Sequence, residues 1–234
     1  MPDIRRSAGA SEIKFLVDPA TADRVRAWAR QHLEADPHGS GPFGDTYSTT
    51  TLYLDTPDLD VFYRRGSNGR AKYRIRRYDN DVVFFERKLR TATRLAKRRT
   101  QVTLDDLPRL LATPAADWPA EWFHRRMRAR RLTPTSEVRY TRLARGMDTP
   151  AGPARLTVDD ALHASPARGL CFGPPPATAF LEGQAIMEMK FRQALPAVFK
   201  RLLEELQLTP GTVSKYRHAM GAIGAVEPAP AFKR

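Results

Sequence analysis

Glu12 and Lys14, Glu86 and Lys88, and Glu188 and Lys190 repeat one spacing, a glutamate two residues before a lysine, at distant places in the chain. Each pair lies in a stretch with apolar residues at alternate positions: "EIKF", "FFERKL" and "MEMKF". In a β-strand, residues two apart share a face. Each pair therefore sets a carboxylate beside an ammonium, with aromatic or aliphatic groups on the opposite face. "RAKYRIRRY" repeats the pattern with cations alone: Lys72, Arg74 and Arg76 share one face, Ala71, Tyr73 and Ile75 the other. Glu86, Lys88 and Arg90, and Glu188, Lys190 and Arg192, continue it. A half-solvated antiparallel sheet also has a polar face. Such faces usually carry Thr, Ser, Gln and mixed charge, whereas these are dominated by Arg and Lys. Like charges on neighbouring strands repel, and a bound polyanion would offset that repulsion. Arginine forks suit phosphate oxygens.

Several elements must hold these faces together. "SEIKFLVD" alternates as a strand, Asp18 and Pro19 start a helix, and Ala22, Val25, Ala29 and Leu33 line its apolar side. "DPHGSGPFGD" reads as a loop and "YSTTTLYLDT" as a strand. "TPDLDVFYRRG" is a turn with a short helix. Two strands flank "DND", and "RLAKRRTQVTL" is a third. Residues 104–131 read as helical with a break near "TPAADWP". "TSEVRYTRLARG", "PARLTVDDAL" and "QAIMEMKFR" are further strands, and "RGLCFGPPPAT" is a loop. An amphipathic helix follows over Leu195–Leu206, and a turn and short helix over "TVSKYRHAMGA". No βαβ alternation appears. The expected class is α+β with a mostly antiparallel sheet. A sheet curled into a barrel, charged face inward, would focus its field on a linear ligand.

Composition narrows the partners. The 234 residues are 41% hydrophobic, enough for a real core. Lys and Arg total 39 against 26 Asp and Glu, a net charge of +13 that calls for an anionic partner. No apolar run reaches the roughly 20 residues of a membrane helix, and no apolar signal-peptide core is present near the start. Cys171, the single cysteine, excludes an internal disulfide and has no neighbours for a zinc site. A soluble cytoplasmic protein is expected, with 1–10 a flexible lead-in, 11–224 one domain and 225–234 a disordered tail.

The motifs carry a resemblance. The N-terminal glutamate-x-lysine strand, "YRIRRY", "FFERK", "AKRR", "RYTR", "ARLTVD", "MEMKF" and "SKY" occur in an order that resembles the polyphosphate polymerase domain of the vacuolar transporter chaperone family. That family belongs to the triphosphate tunnel metalloenzymes. "LYLDTPDLDVFYRRG" is similar to the family's segment before the first arginine strand. The resemblance spans Glu12 to Met220.

It implies a tunnel of about eight antiparallel strands with helices outside and charged side chains within. It also implies that the paired glutamates and lysines are tunnel walls. Phosphate ligands would be Lys14, Arg74, Arg76, Lys88, Lys97, Arg142, Arg155, Lys190 and Lys215, with Arg74, Arg76, Lys88, Arg142 and Arg155 nearest the chemistry. Ser214 would add a hydroxyl and Arg65 a further cation, unless Arg64 takes that place. Glu188 would hold the divalent metal, Mn²⁺ or Mg²⁺. Glu12 and Glu86 would either share it or orient lysines. Where yeast members carry a histidine two residues after the glutamate-x-lysine lysine, this chain has Arg90. The implied reaction is transfer of the ATP γ-phosphate to a growing polyphosphate chain. Yeast relatives are attached to membrane subunits, so a membrane partner is a further expectation.

Alternatives stand beside this. A triphosphate hydrolase of the same superfamily would share the tunnel but must activate water. Such relatives usually begin E-x-E-x-K, and here Ala10 stands in the first position. A polyphosphate sensor would keep the cations and lose the metal glutamate. A nucleic-acid binder would interleave exposed aromatics with its cations, but Tyr73 is on the apolar face, so no nucleic acid is expected. His32, His38, His124, His163 and His218 lack metal-ligand spacing. "HRRMRARR" reads as a solvated helix face, Asp55 as a turn or cap, and Asp159 and Asp160 as a strand end and turn.

Overall fold

The computed structural model describes residues 10–79, 81–90, 95–114, 116–173 and 177–226. The flexible start expected over 1–10 and the tail expected over 225–234 lie, but for Ala10 and residues 225–226, outside them.

The alternating segments become strands β1 (Ala10–Val17), β3 (Thr46–Asp55), β4 (Ala71–Tyr78), β5 (Val83–Arg90), β6 (Leu95–Val102), β7 (Thr133–Met147), β8 (Ala154–Pro166) and β10 (Ala185–Arg192). Two-residue strands β2 (Glu34–Ala35) and β9 (Thr178–Ala179) add to β7 and β8. The helices are α1 (Pro19–His32), α2 (Asp60–Tyr63), α3 (Glu121–Ala129), α4 (Ala197–Leu206) and α5 (Lys215–Ala222). Of the helical stretch expected over 104–131, Leu104–Leu111 is a 3₁₀ helix and α3 the only α-helix. Pro108 removes an amide donor and favours the tighter turn.

The strands form one antiparallel, curled sheet in the order β1-β10-β8-β7-β3-β4-β5-β6. It is a half-barrel. Among the described residues no backbone pairing joins its edges β1 and β6. Side chains reach across instead: Lys88 of β5 lies 3.1 Å from Glu12 of β1. Long charged groups fill the concave side and hold the walls apart where backbone pairing would need strands about 4.8 Å apart.

The outward face is apolar and is covered by helices. Phe15, Leu156, Met187 and Met189 pack on Val25, Trp28, Phe199 and Leu202 of α1 and α4. Asp18 caps α1 by accepting from Thr21 N at 2.9 Å, and Pro19 fits the first turn. Leu52, Tyr73, Ile75 and Phe85 pack on Trp118, Phe123 and Met127 around α3. A third cluster fills one end of the concave side. Tyr53, Tyr140 and Ile186 meet Phe62 of α2 and Tyr216 and Met220 of α5. Helix α5, with α2 beside it, thus plugs the half-barrel from within, while α1, α3 and α4 pack outside.

Asp55 ties this plug to the sheet. Its carboxylate is fully buried and accepts from Thr56 N (2.7 Å), Val61 N (2.8 Å), Phe62 N (2.9 Å) and the Tyr216 hydroxyl (2.7 Å). The cap expected at Asp55 is therefore also the joint between β3, α2 and α5. Asp55→Ala strands several buried donors, at a cost of about 3 kcal/mol or more. Thermal melting should show Tm lower by roughly 6–12 °C; an unchanged Tm would remove this role.

Candidate active site on the concave face

Cross-strand register gathers the predicted residues. Lys14 pairs with Glu188, and Glu12 with Lys190, across β1 and β10. Lys190 pairs with Arg155 across β10 and β8. Arg74 pairs with Glu86, and Lys88 with Lys97, across β4, β5 and β6. Arg142 faces Asp159 across β7 and β8. Because the strands pair in one unbroken order round the curl, residues from distant parts of the chain reach one surface.

Four carboxylates organise this surface, each in a different way. Glu86 is nearly inaccessible, and its oxygens meet Arg74 Nε at 2.6 Å, Lys97 Nζ at 2.7 Å and an Arg76 terminal nitrogen at 3.6 Å. Burial alone would raise its pKa, but Arg74, Arg76 and Lys97 outweigh that and hold it well below the usual carboxylate range. Glu188 meets Lys190 Nζ at 2.8 Å, Lys14 Nζ at 3.0 Å and Lys215 Nζ at 3.8 Å. Burial opposes its charge too, and the three lysines again win. Glu12 is more open and meets Lys88 at 3.1 Å and Lys14 at 3.3 Å.

Asp159 is the fourth, and its place corrects the reading of a strand end and turn. It lies in mid-β8, fully buried, and accepts both prongs of Arg142 at 2.6 and 2.7 Å. Lys215, from the start of α5, approaches it at 2.5 Å. Burial penalises the Lys215 charge, but Asp159 and Glu188 raise its pKa above the ordinary value. The signal was present in Arg155, Thr157 and Asp159, which alternate along β8 like the glutamate-x-lysine pairs.

Cations far outnumber carboxylates here, and they differ in how firmly they are held. Arg76 is buried and donates to Thr51 Oγ1 at 3.3 Å. Arg155 donates to the Tyr47 hydroxyl at 2.8 Å and pairs with Asp36 at 2.7 Å, while its Nε is buried without an acceptor. Burial pulls the Lys97 and Lys190 amines below their ordinary value despite their glutamate partners. Ser214 accepts from Lys72 Nζ at 3.3 Å. Arg65 lies apart from this group. It is half exposed, pairs with Asp60 at 3.4 Å, donates to the Asp58 carbonyl and packs over Tyr63. Its neighbour Arg64 is instead close enough to depress the pKa of Lys72.

Carboxylate availability tests the fit of a divalent cation, which takes oxygen donors. Among the described residues, no cluster of three or more His, Cys, Asp or Glu could hold a metal on its own. Glu86 is 2% exposed and held by two arginines, which never give up their charge, as well as by a lysine, and it does not fit. Glu12 and Glu188 do: they project from paired strands, and the Lys14 ammonium already bridges them at 3.3 and 3.0 Å, standing where a cation is favoured.

The sequence matches the VTC domain model over residues 10–223. The chain belongs to the VTC domain family. A proposed adenylate cyclase from Bacillus halodurans shares the fold of this VTC domain, at 15% identity and TM-score 0.52, covering 88% of this chain and 95% of that one. A proposed adenylyl cyclase from Hippeastrum, described as having dominant triphosphatase activity, is similar at 13% identity and TM-score 0.49, covering 89% and 93%. A further proposed adenylate cyclase, from Vibrio parahaemolyticus, gives 11% identity and TM-score 0.48, covering 92% and 98%. No functionally curated protein matches the sequence. The half-barrel, with its charged concave face, is the triphosphate tunnel fold. Among the described residues of the VTC domain, no helix is long and apolar enough to cross a membrane.

Proposed function

We propose that this VTC domain is a metal-dependent polyphosphate polymerase that transfers the γ-phosphate of ATP to the end of a polyphosphate chain. The observation that carries this reading is the excess of buried and half-buried cations over carboxylates on one continuous surface, which calls for an extended polyanion. Arg74, Arg76 and Arg142 are oriented by Glu86 and Asp159, so their remaining N–H groups are pre-aimed at phosphate oxygens. Lys88, Lys97, Lys190 and Lys215 neutralise charge along the chain, and Lys14 does so beside the carboxylate pair. Arg155 and Ser214 serve as flanking ligands.

Glu188 and Glu12 would hold Mg²⁺ or Mn²⁺, with phosphate oxygens completing its shell; Glu86 would serve to orient arginines. When bound, such an ion draws charge from the phosphoryl oxygens. The chain's terminal oxygen attacks the γ-phosphorus, and the bond from that phosphorus to the β,γ-bridging oxygen breaks, releasing ADP. The attacking oxygen is already anionic, so no side chain must remove a proton.

Hydrolysis is the second reading, and Glu12 is the observation that favours it. It is the most open of the four carboxylates and could orient a water while Glu188 serves the metal. Purified protein incubated with ATP and Mn²⁺ or Mg²⁺, with products resolved on a polyphosphate gel, separates the two. A ladder of long chains, lost in Arg74→Ala, is the expected result. Orthophosphate without chains would replace the polymerase by the hydrolase, and tight polyphosphate binding with neither product would leave a binding module.

A further inference from the structure

Lys72, Arg64 and Arg217 are cations that the charged ring does not balance. Lys72 shares the concave face of β4 with Arg74 and Arg76, yet among the described residues its amine pairs with no carboxylate and donates to Ser214 Oγ, at 3.3 Å. Arg217 follows on α5. Its guanidinium lies 5.2 Å from the Phe62 ring centre, and its Nε is buried without an acceptor. Arg64 ends α2 in the left-handed conformation, at φ 58°. The turn that presents it is tightly built: a Cβ on Gly69 would come within 2.3 Å of the Arg64 carbonyl carbon. Glu12, Glu86, Glu188 and Asp159 are all engaged with other cations.

Arg64 is the electrostatic neighbour of both Lys72 and Arg217, and the contacts join them: Lys72 reaches Ser214, the residue just before α5, and Arg217, three residues on, packs against Phe62, two residues before Arg64. Burial, then Lys14, Lys88, Arg64 and Arg74, pull the Lys72 amine down to about 8. Burial and then Arg64 lower the pKa of Arg217. Crowding like charges without a counter-ion is unfavourable, and the Asp55 joint keeps the backbones of α2 and α5, which carry Arg64 and Arg217, side by side.

We propose that Lys72, Arg64 and Arg217 form a second phosphate subsite at the α5 end of the concave face, which holds units of a long chain beyond those gripped by the ring. This rests on the polyphosphate reading and adds to it a preference for long chains over triphosphate. The ligand is inorganic polyphosphate, because the subsite offers positive charge, and the one ring these cations meet among the described residues, Phe62, is buried and cannot stack on a base.

The test is equilibrium binding to the full chain of long-chain polyphosphate and of tripolyphosphate, without ATP or divalent metal. Lys72→Met and Arg217→Gln should each weaken long-chain binding by about tenfold and change tripolyphosphate binding less than about twofold. Each should also lower the slope of log affinity against log salt by about 0.7, as loss of one phosphate contact does. Lys72→Met should raise the Tm of the ligand-free protein, since a repelled cation is removed. Unchanged long-chain affinity, or an equal loss for both ligands, overturns the subsite. Wild-type protein that binds tripolyphosphate as tightly as long chains overturns it while leaving the ring intact. Failure to bind either ligand overturns the polyphosphate reading itself, and the subsite with it.

Discussion

Glu188→Gln is expected to lower phosphoryl-transfer turnover by about 10²–10³-fold while leaving the protein folded. Glu188 is the point where β1, β10 and α5 converge, through Lys14 at 3.0 Å, Lys190 at 2.8 Å and Lys215 at 3.8 Å. The amide keeps the volume and removes the charge. Lys14 and Lys215, whose amines are raised above their ordinary values against the pull of burial, then lose a principal partner. Their ammonium positions shift, and phosphate loses its alignment with the metal donors. A positioning effect on lysines alone would lower turnover at every Mn²⁺ concentration equally. A metal donor also raises the Mn²⁺ concentration needed for half-maximal rate. Titrating Mn²⁺ against rate for Glu188→Gln and Glu12→Gln separates the two. Both curves should move to higher Mn²⁺, Glu188→Gln further, because Glu188 is the more buried ligand. Unmoved curves would leave Glu188 as an organiser of lysines only.

The charged surface was readable from period-two spacing, because one face of a strand is recorded in a single local segment. Glu12, Lys14, Arg74, Glu86 and Lys190 needed only that local pattern. Asp159 obeyed the same period in "ARLTVDD", but Asp-Asp is also a common turn signal, and that signal pointed the other way. Nothing local says that β8 continues for several residues past it; pairing with β7, shifted at a bulge near Arg139, extends the strand. The role of α5 was hidden for another reason. Its apolar residues look the same whether a helix packs outside a sheet or plugs it, and only Tyr53, Tyr140 and Ile186 on the concave side decide. In the sequence Lys72 is one more cation on its strand. That no carboxylate among the described residues pairs with it follows from where the carboxylates went, which depends on the whole register.

Glu86→Gln should cost about as much stability as Asp55→Ala. Glu86 is 2% exposed and neutralises Arg74 and Lys97 directly and Arg76 more weakly. Removing one partner of a buried charge network costs about 3–5 kcal/mol because the other charges stay buried. Arg74 and Lys97 are 24% and 42% exposed, so water screens part of their share, and the lower end of that range is expected. Tm should fall by roughly 6–12 °C. The pH dependence has a definite sign. The Glu86 carboxyl is held well below its ordinary 4.5, so its contribution is complete above that pH. It is lost only as pH falls through the low folded-state value. The gap between wild type and variant should therefore stay level from neutral pH down to about 5 and narrow in stronger acid. Tripolyphosphate supplies a replacement anion to the same three cations. A ligand at about 100 times its Kd adds about 2.7 kcal/mol to a folded protein, but the variant should need a lower concentration for the same gain, because its ring carries one negative charge fewer. Rescue of Tm that is stronger in Glu86→Gln than in wild type would show that glutamate and phosphate compete for these cations. Equal rescue would mean that phosphate binds elsewhere on the concave face and that Glu86 serves folding alone.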